Sequence, residues 1–167
     1  MFITLYMLFM SLQMLLQPIQ GWTPVNMGNC LSTHNYLRRL HGSPPLHWDH
    51  NLYRFARKRA EHMAATDIFA HPRHLPYGEN LYYVWGAVPS CKSAVDAWYN
   101  EIRHFNYRWP TFSPATGHFT QVVWRGTRRV GCAAAQSRRT RRIYIACNYW
   151  PAGNVQGHFR HNVPHRG

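Results

Sequence analysis

In "CLSTHNYLRRLH" (30–41), Leu31, Leu37 and Leu40 recur near one face at helical spacing, which predicts a first helix. "GSPP" closes it, because glycine followed by prolines cannot continue a helix. A second amphipathic stretch, "WDHNLYRFARKRAEHMAATD", opens on Asp49 as N-cap and lines up Leu52, Phe55, Ala56, Arg59 and Met63 in one stripe. "FAHPRHLPYGENLYY" is interrupted by two prolines and a glycine and reads mainly as loop. Ser90 is placed to cap "CKSAVDAWYNEI", whose apolar face is Val95, Trp98, Tyr99 and Ile102. An aromatic, proline-broken loop, "FNYRWPTFSPATG", leads to Thr116, the expected cap of a short helix in "TGHFTQVVW".

The last third changes period. Ile143, Ile145, Cys147 and Tyr149 alternate with their neighbours, as do Val130, Cys132 and Ala134, and alternation is the mark of a strand. Folding the two runs about the arginine-rich "SRRTR" sets Cys132 opposite Cys147, Val130 opposite Tyr149 and Ala134 opposite Ile145. Directly opposed strand residues are close enough for a disulfide. The predicted pair is therefore Cys132–Cys147, leaving Cys30–Cys91 to tie the first helix to the third. Helices followed by a strand hairpin indicate an α+β fold.

The 167 residues suit one domain, and 46 % hydrophobic content can fill its core. The first sixteen residues are uncharged and apolar. That is short of the roughly 20 a membrane span needs, and with "QPIQGW" after it the segment reads as a cleaved leader over residues 1–21. A short lead (22–29), a domain (30–163) and a basic tail (164–167) follow, and a secreted, extracellular protein is expected. Four cysteines without a C-x-x-C pair argue against a zinc knuckle and for two disulfides. Charge is lopsided: 19 Lys+Arg against 6 Asp+Glu, a formal net +13. Arg125, Arg128, Arg129, Arg138, Arg139, Arg141 and Arg142 crowd one stretch of sequence, the expected face for anionic membrane or a heparin-like glycosaminoglycan. Nucleic acid is disfavoured by the secretory route.

With six carboxylates in all, position is informative. Glu79 in "YGENL" and Glu101 in "WYNEI" each border apolar runs, as do His71 and His118. A buried carboxylate requires a partner. The blocks "HNYLRRLHGSPPLHWD", "YGENLY", "AVDAWYNEI", "GHFTQVVWRGTRRVGCA" and "YIACNYWPAGNVQG" resemble, in order and spacing, the CAP superfamily of cysteine-rich secretory proteins, antigen 5 and pathogenesis-related 1 proteins. The likeness is greatest to the compact single-domain branch that includes the fungal Pry proteins. The resemblance implies a three-layer α–β–α sandwich with a small antiparallel sheet. It also implies a cleft holding His71, Glu79, Glu101 and His118, with His74 as the alternative to His71 because the following loop is short. His34 and Arg38 match a family motif and are expected to serve helix packing.

Two neutral imidazoles beside two carboxylates suit a weakly held divalent cation such as Zn²⁺. The same set suits general acid–base catalysis or a hydrogen-bonded network that pins the cleft. No G-x-S-x-G, no H-E-x-x-H and no unpaired cysteine supplies a nucleophile, so binding is expected over turnover. The aromatics Phe105, Tyr107, Trp109 and Phe112 match a loop that in the Pry-like branch is implicated in binding sterol. A monomer that binds a sterol or fatty acid is the implied function. The alternatives are a recognition ligand for a receptor or polyanion and a metal-dependent hydrolase.

Overall fold

A computed structural model describes residues 27–86 and 90–167. The leader expected over 1–21 and residues 22–26 of the lead lie outside the described residues. Helix α1 (Met27–Arg39) begins three residues before the expected domain start. Strand β1 (His47–Trp48) and helix α2 (His50–Thr66) follow. The Asp49 carboxylate caps α2 by accepting from the amides of Asn51 at 2.8 Å and Leu52 at 3.1 Å. No helix among the described residues is long and apolar enough to cross a membrane.

Helix α2 ends on Asp67, left-handed at φ 55°, a conformation that Asp tolerates better than most residues. Its carboxylate is put to use. It accepts from the hydroxyls of Thr140 (2.6 Å), Ser137 (3.0 Å) and Tyr144 (3.0 Å) and from Arg139 Nε (2.9 Å). The hydrogen bond from Thr140 leads the others in holding this carboxyl well below the usual carboxylate range. The clamp fastens the helix end to the hairpin turn.

Strand β2 (Gly78–Val84), helix α3 (Cys91–Tyr99), a 3₁₀ turn (Asn100–His104), helix α4 (Gly117–Val123), strands β3 (Arg129–Gln136) and β4 (Ile143–Trp150) and a short helix α5 (Phe159–Asn162) complete the order. The "GENLYYV" segment, expected as loop, is the edge strand β2. Its residues are mostly half-buried, so the alternation that marks a two-faced strand is weak. Sheet order is β1-β3-β4-β2. The β3–β4 hairpin has the expected register, with Cys132 opposite Cys147, Val130 opposite Tyr149 and Ala134 opposite Ile145. The sheet is mixed, not wholly antiparallel, because the two-residue β1 pairs with β3 in parallel.

Alternation along the hairpin divides the core into two. Val130, Cys132, Ala134, Ile145, Cys147 and Tyr149 join the cluster shared with α1, α3 and α4. Ala133, Tyr144 and Ala146 pack with Ala56 and Met63 of α2. The three layers follow from this. Helix α2 sits so close to the sheet that a methyl on Gly131 would run into the backbone of Leu52 and Tyr53, a close approach that glycine alone allows. Both disulfides form as expected. They close loops of 61 and 15 residues, worth about 4 and about 3 kcal/mol by chain entropy.

Arg38 is fully buried and serves packing in a specific way. Its guanidinium donates to the carbonyls of Pro44, Val122, Trp124 and Thr127 at 2.8–3.0 Å. One of these, Val122, lies in the last turn of α4, where helix carbonyls lack an intrahelical donor. Burial pulls its pKa down to about 10, which still leaves it charged at neutral pH. The segment expected as a basic tail is seated on the domain. His41 Nδ1 donates to the Pro164 carbonyl (2.8 Å), the His165 ring stacks on Tyr107 at 4.1 Å, and the Gly167 amide donates to the Leu40 carbonyl.

Candidate functional site: two histidine–glutamate pairs

The four expected residues come together as two pairs. In the first, the Glu79 side chain at the start of β2 has no solvent exposure. It accepts from His71 Nδ1 at 2.9 Å, from Arg59 Nε at 2.9 Å and from Asn148 Nδ2 at 3.4 Å. Burial alone would push this carboxyl up. The hydrogen bonds from His71 and Arg59, with the Arg59 charge, outweigh burial and hold it below the usual range. His71, not His74, is the histidine that reaches Glu79. Its ring remains half exposed.

In the second pair, Glu101 of the 3₁₀ turn accepts from His118 Nδ1 at 2.7 Å. Its other oxygen accepts from the backbone amides of His118 and Phe119 at 3.0 and 3.1 Å. Glu101 therefore caps α4. Thr116 occupies the cap position, but its hydroxyl turns back to the Ser113 carbonyl instead. The His118 ring stacks on Trp98 with centroids 6.2 Å apart. It points out of the core into a partly open polar site, its side chain 30 % exposed.

Strand β2 relates the pairs. Glu79 faces α2, whereas the next residue, Asn80, faces α4, as alternation requires. Asn80 Nδ2 donates to the His118 carbonyl at 3.1 Å and to Tyr149 Oη at 3.3 Å. The chain of bonds continues inward. The Tyr149 hydroxyl donates to His34 Nε2 at 2.8 Å, and His34 Nδ1 donates to the Cys30 carbonyl at 2.8 Å. Burial brings the His34 pKa down to about 4, so the ring is neutral and Nε2 can accept.

Each paired imidazole spends Nδ1 on a carboxylate, which fixes the ring and leaves Nε2 as the available donor to a metal. The carboxylates are already occupied, Glu79 by a cation and Glu101 by helix amides, and serve as orienters. Among the described residues, the one set of three or more His, Cys, Asp or Glu ligand atoms lying within 4.8 Å of one another is the four cysteines. All four are held in disulfides. The histidine and glutamate residues therefore do not form a closed four-ligand cage.

The matching family model is that of the cysteine-rich secretory protein family, CAP, over residues 31–149. The chain belongs to the CAP family. Protein PRY2 of Saccharomyces cerevisiae is 42 % identical over 134 residues, 80 % of this chain and 39 % of the yeast protein. The Golgi-associated plant pathogenesis-related protein 1 of Homo sapiens is 38 % identical, covering 80 % of this chain and 88 % of its own length. This CAP domain thus spans about two fifths of the yeast relative and most of the human one. Among solved structures, NaASP2 with Zn²⁺ superposes with a TM-score of 0.66 at 22 % identity, covering 90 % of each chain. That likeness is one of fold.

The aromatic loop divides. Phe105 is buried against Tyr107 and Phe119, and Tyr107 is half-buried under His165. Trp109 and Phe112 stay open, 73 % and 48 % exposed. The seven arginines divide too. Arg125 and Arg128 turn to the carbonyls of Gly42 and Arg125, and Arg129 reaches Asp49 at 3.4 Å. Arg138, Arg139, Arg141 and Arg142 lie beyond the other end of β3, roughly 24 Å away along an eight-residue strand. They do not form one continuous face.

Sequence reasoning missed Asn80 and Asn148 in this site, and it missed the role of Arg59. A signal for Arg59 was there, since a cation in the apolar stripe of α2 requires a buried anion. The two asparagines carry no local signal.

Proposed function

We propose that this CAP domain holds a small apolar ligand, a sterol or fatty acid, against the exposed rings of the 105–116 loop, and does not turn it over. The observation that carries the reading is the exposure of Trp109 and Phe112, with Val155 of a second segment also 47 % exposed. The two segments are tied by a hydrogen bond from Gln156 to Thr111 and by one from Asn154 to the Gly117 carbonyl. Exposed rings on a braced loop offer apolar surface at small entropic cost. Resemblance to the Pry-like branch supports the choice of sterol. Both disulfides support an oxidising, extracellular setting, and the protein is taken to act as a monomer.

The test is saturable binding of radiolabelled cholesterol. Trp109→Ala with Phe112→Ala should weaken it at least tenfold while leaving thermal stability nearly unchanged. Wild-type affinity in the double variant would refute the reading. Phe105 and Tyr107 are unsuitable targets, because their loss would remove core.

A second reading, a weak Zn²⁺ site at the imidazoles, is favoured by the two Nδ1–carboxylate bonds. Titration calorimetry should give weak binding that His118→Ala lowers. Unchanged binding in His118→Ala would exclude it.

A further inference from the structure

The outer face of α2 carries a feature that neither His–Glu pair nor the aromatic loop uses. Leu52, Ala56, Ala60 and Met63 face the sheet. Opposite them, His50, Arg54, Lys58 and His62 stand at successive i, i+4 positions, with Arg57 alongside, and all five are exposed. This ridge runs about 18 Å. At its start Arg129 is held by Asp49, and at its end Arg139 is held by Asp67. Arg138 and Arg139 line a groove with Glu61 and Ala65 of α2. The helix therefore bridges two arginine groups that β3 keeps apart.

The charge count on this face is one-sided. Arg54, Arg57, Lys58, Arg129, Arg138 and Arg139 stand over three carboxylates, Asp49, Glu61 and Asp67. Two of these are shielded, with side chains 16 % and 6 % exposed, and Glu61 is the open one at 48 %. At the Arg129 end, a second groove of about 410 Å³ is lined by Tyr77 and by Trp150, the latter 48 % exposed.

We infer that the α2 ridge, with Arg129 at one end and Arg138 and Arg139 at the other, is a docking track for a linear sulfated polysaccharide. Spaced cations along a line match anionic groups repeated along a flexible chain. The Tyr77 and Trp150 rings offer an apolar platform to the C–H face of a sugar ring. A bilayer is a poorer match, because an interfacial helix inserts its apolar face and that of α2 is spent on the sheet. The inference is independent of the apolar-ligand reading, which concerns the opposite layer.

The intact protein is eluted from immobilised heparin with a salt gradient, and binding of heparin oligosaccharides of increasing length is measured. Arg54→Gln/Arg57→Gln/Lys58→Gln should elute at clearly lower salt and bind at least tenfold more weakly at 0.15 M salt. Its log K against log salt slope should be shallower by about two to three. The charge-matched Arg103→Gln/Arg108→Gln/Arg160→Gln should elute much closer to wild type. In the wild type, affinity should rise with chain length until the track is filled and then level off. Equal losses in the two triple variants would overturn the track in favour of bulk charge, as would affinity independent of chain length. Tighter binding of duplex DNA or phosphatidylserine vesicles through the same three residues would overturn it in favour of those partners.

Discussion

Glu79 and Glu101 each hold an imidazole by Nδ1, but their surroundings have little else in common. Glu79 is sealed in, with no exposure, and its negative charge is balanced by a guanidinium from another layer. Glu101 keeps 22 % of its side chain open and is balanced by two backbone amides at a helix start. The first arrangement depends on tertiary packing for its existence. The second is nearly local, a carboxylate sixteen residues before the helix it caps. A buried ion pair is costly to break because the surviving charge cannot reach water, whereas a partly open cap can be replaced by solvent. The two pairs should therefore differ more in stability than in chemistry.

Removing Arg59 tests that difference most severely. Arg59→Met should destabilise the fold by about 3–5 kcal/mol, the usual penalty for stranding a buried partner. Glu101→Gln should cost about 1–2 kcal/mol, since the amide oxygen can still accept from a helix amide. Urea denaturation at pH 7 measures both, and equal losses would break the comparison.

Acid titration probes the hydrogen-bond chain behind His118. His34 has a folded pKa of about 4 against 6.5 unfolded, so the unfolded chain binds the extra proton between those values. Stability from this group is complete above pH 6.5 and is lost as pH falls toward 4, by about 3 kcal/mol in all. His41, also lowered by burial, acts in the same direction. Glu79 adds a later loss. Its carboxyl is held below the ordinary 4.5, so its contribution is present above that value and fades only as pH drops further. In His34→Gln the decline between pH 6.5 and 4 should be visibly shallower. An unchanged slope would remove His34 as its main source. The smallest expected stability effect belongs to the Trp109 and Phe112 variants, whose rings are exposed.

Much of the molecule could be read in advance where the determining interactions repeat with a short period. The hairpin register followed from Cys132, Cys147 and their alternating neighbours, and Asp49 and Ser90 were legible as caps because a cap acts within three residues. The four residues of the His–Glu site were reached through family resemblance, not through spacing. Strand β2 escaped because edge position blurs its alternation. Thr116 misled because the oxygen that caps α4 comes from Glu101.

The sequence by itself determined the periods of helix and strand, the pairing of the cysteines and membership of the CAP family. Those are properties of neighbours along the chain and of motif order. Tertiary structure alone decided that Arg59 answers Glu79, that Phe105 is core while Trp109 is surface, and that α2 bridges the two arginine groups. Burial and charge balance are set by residues tens of positions apart, and no local pattern encodes which of them will meet.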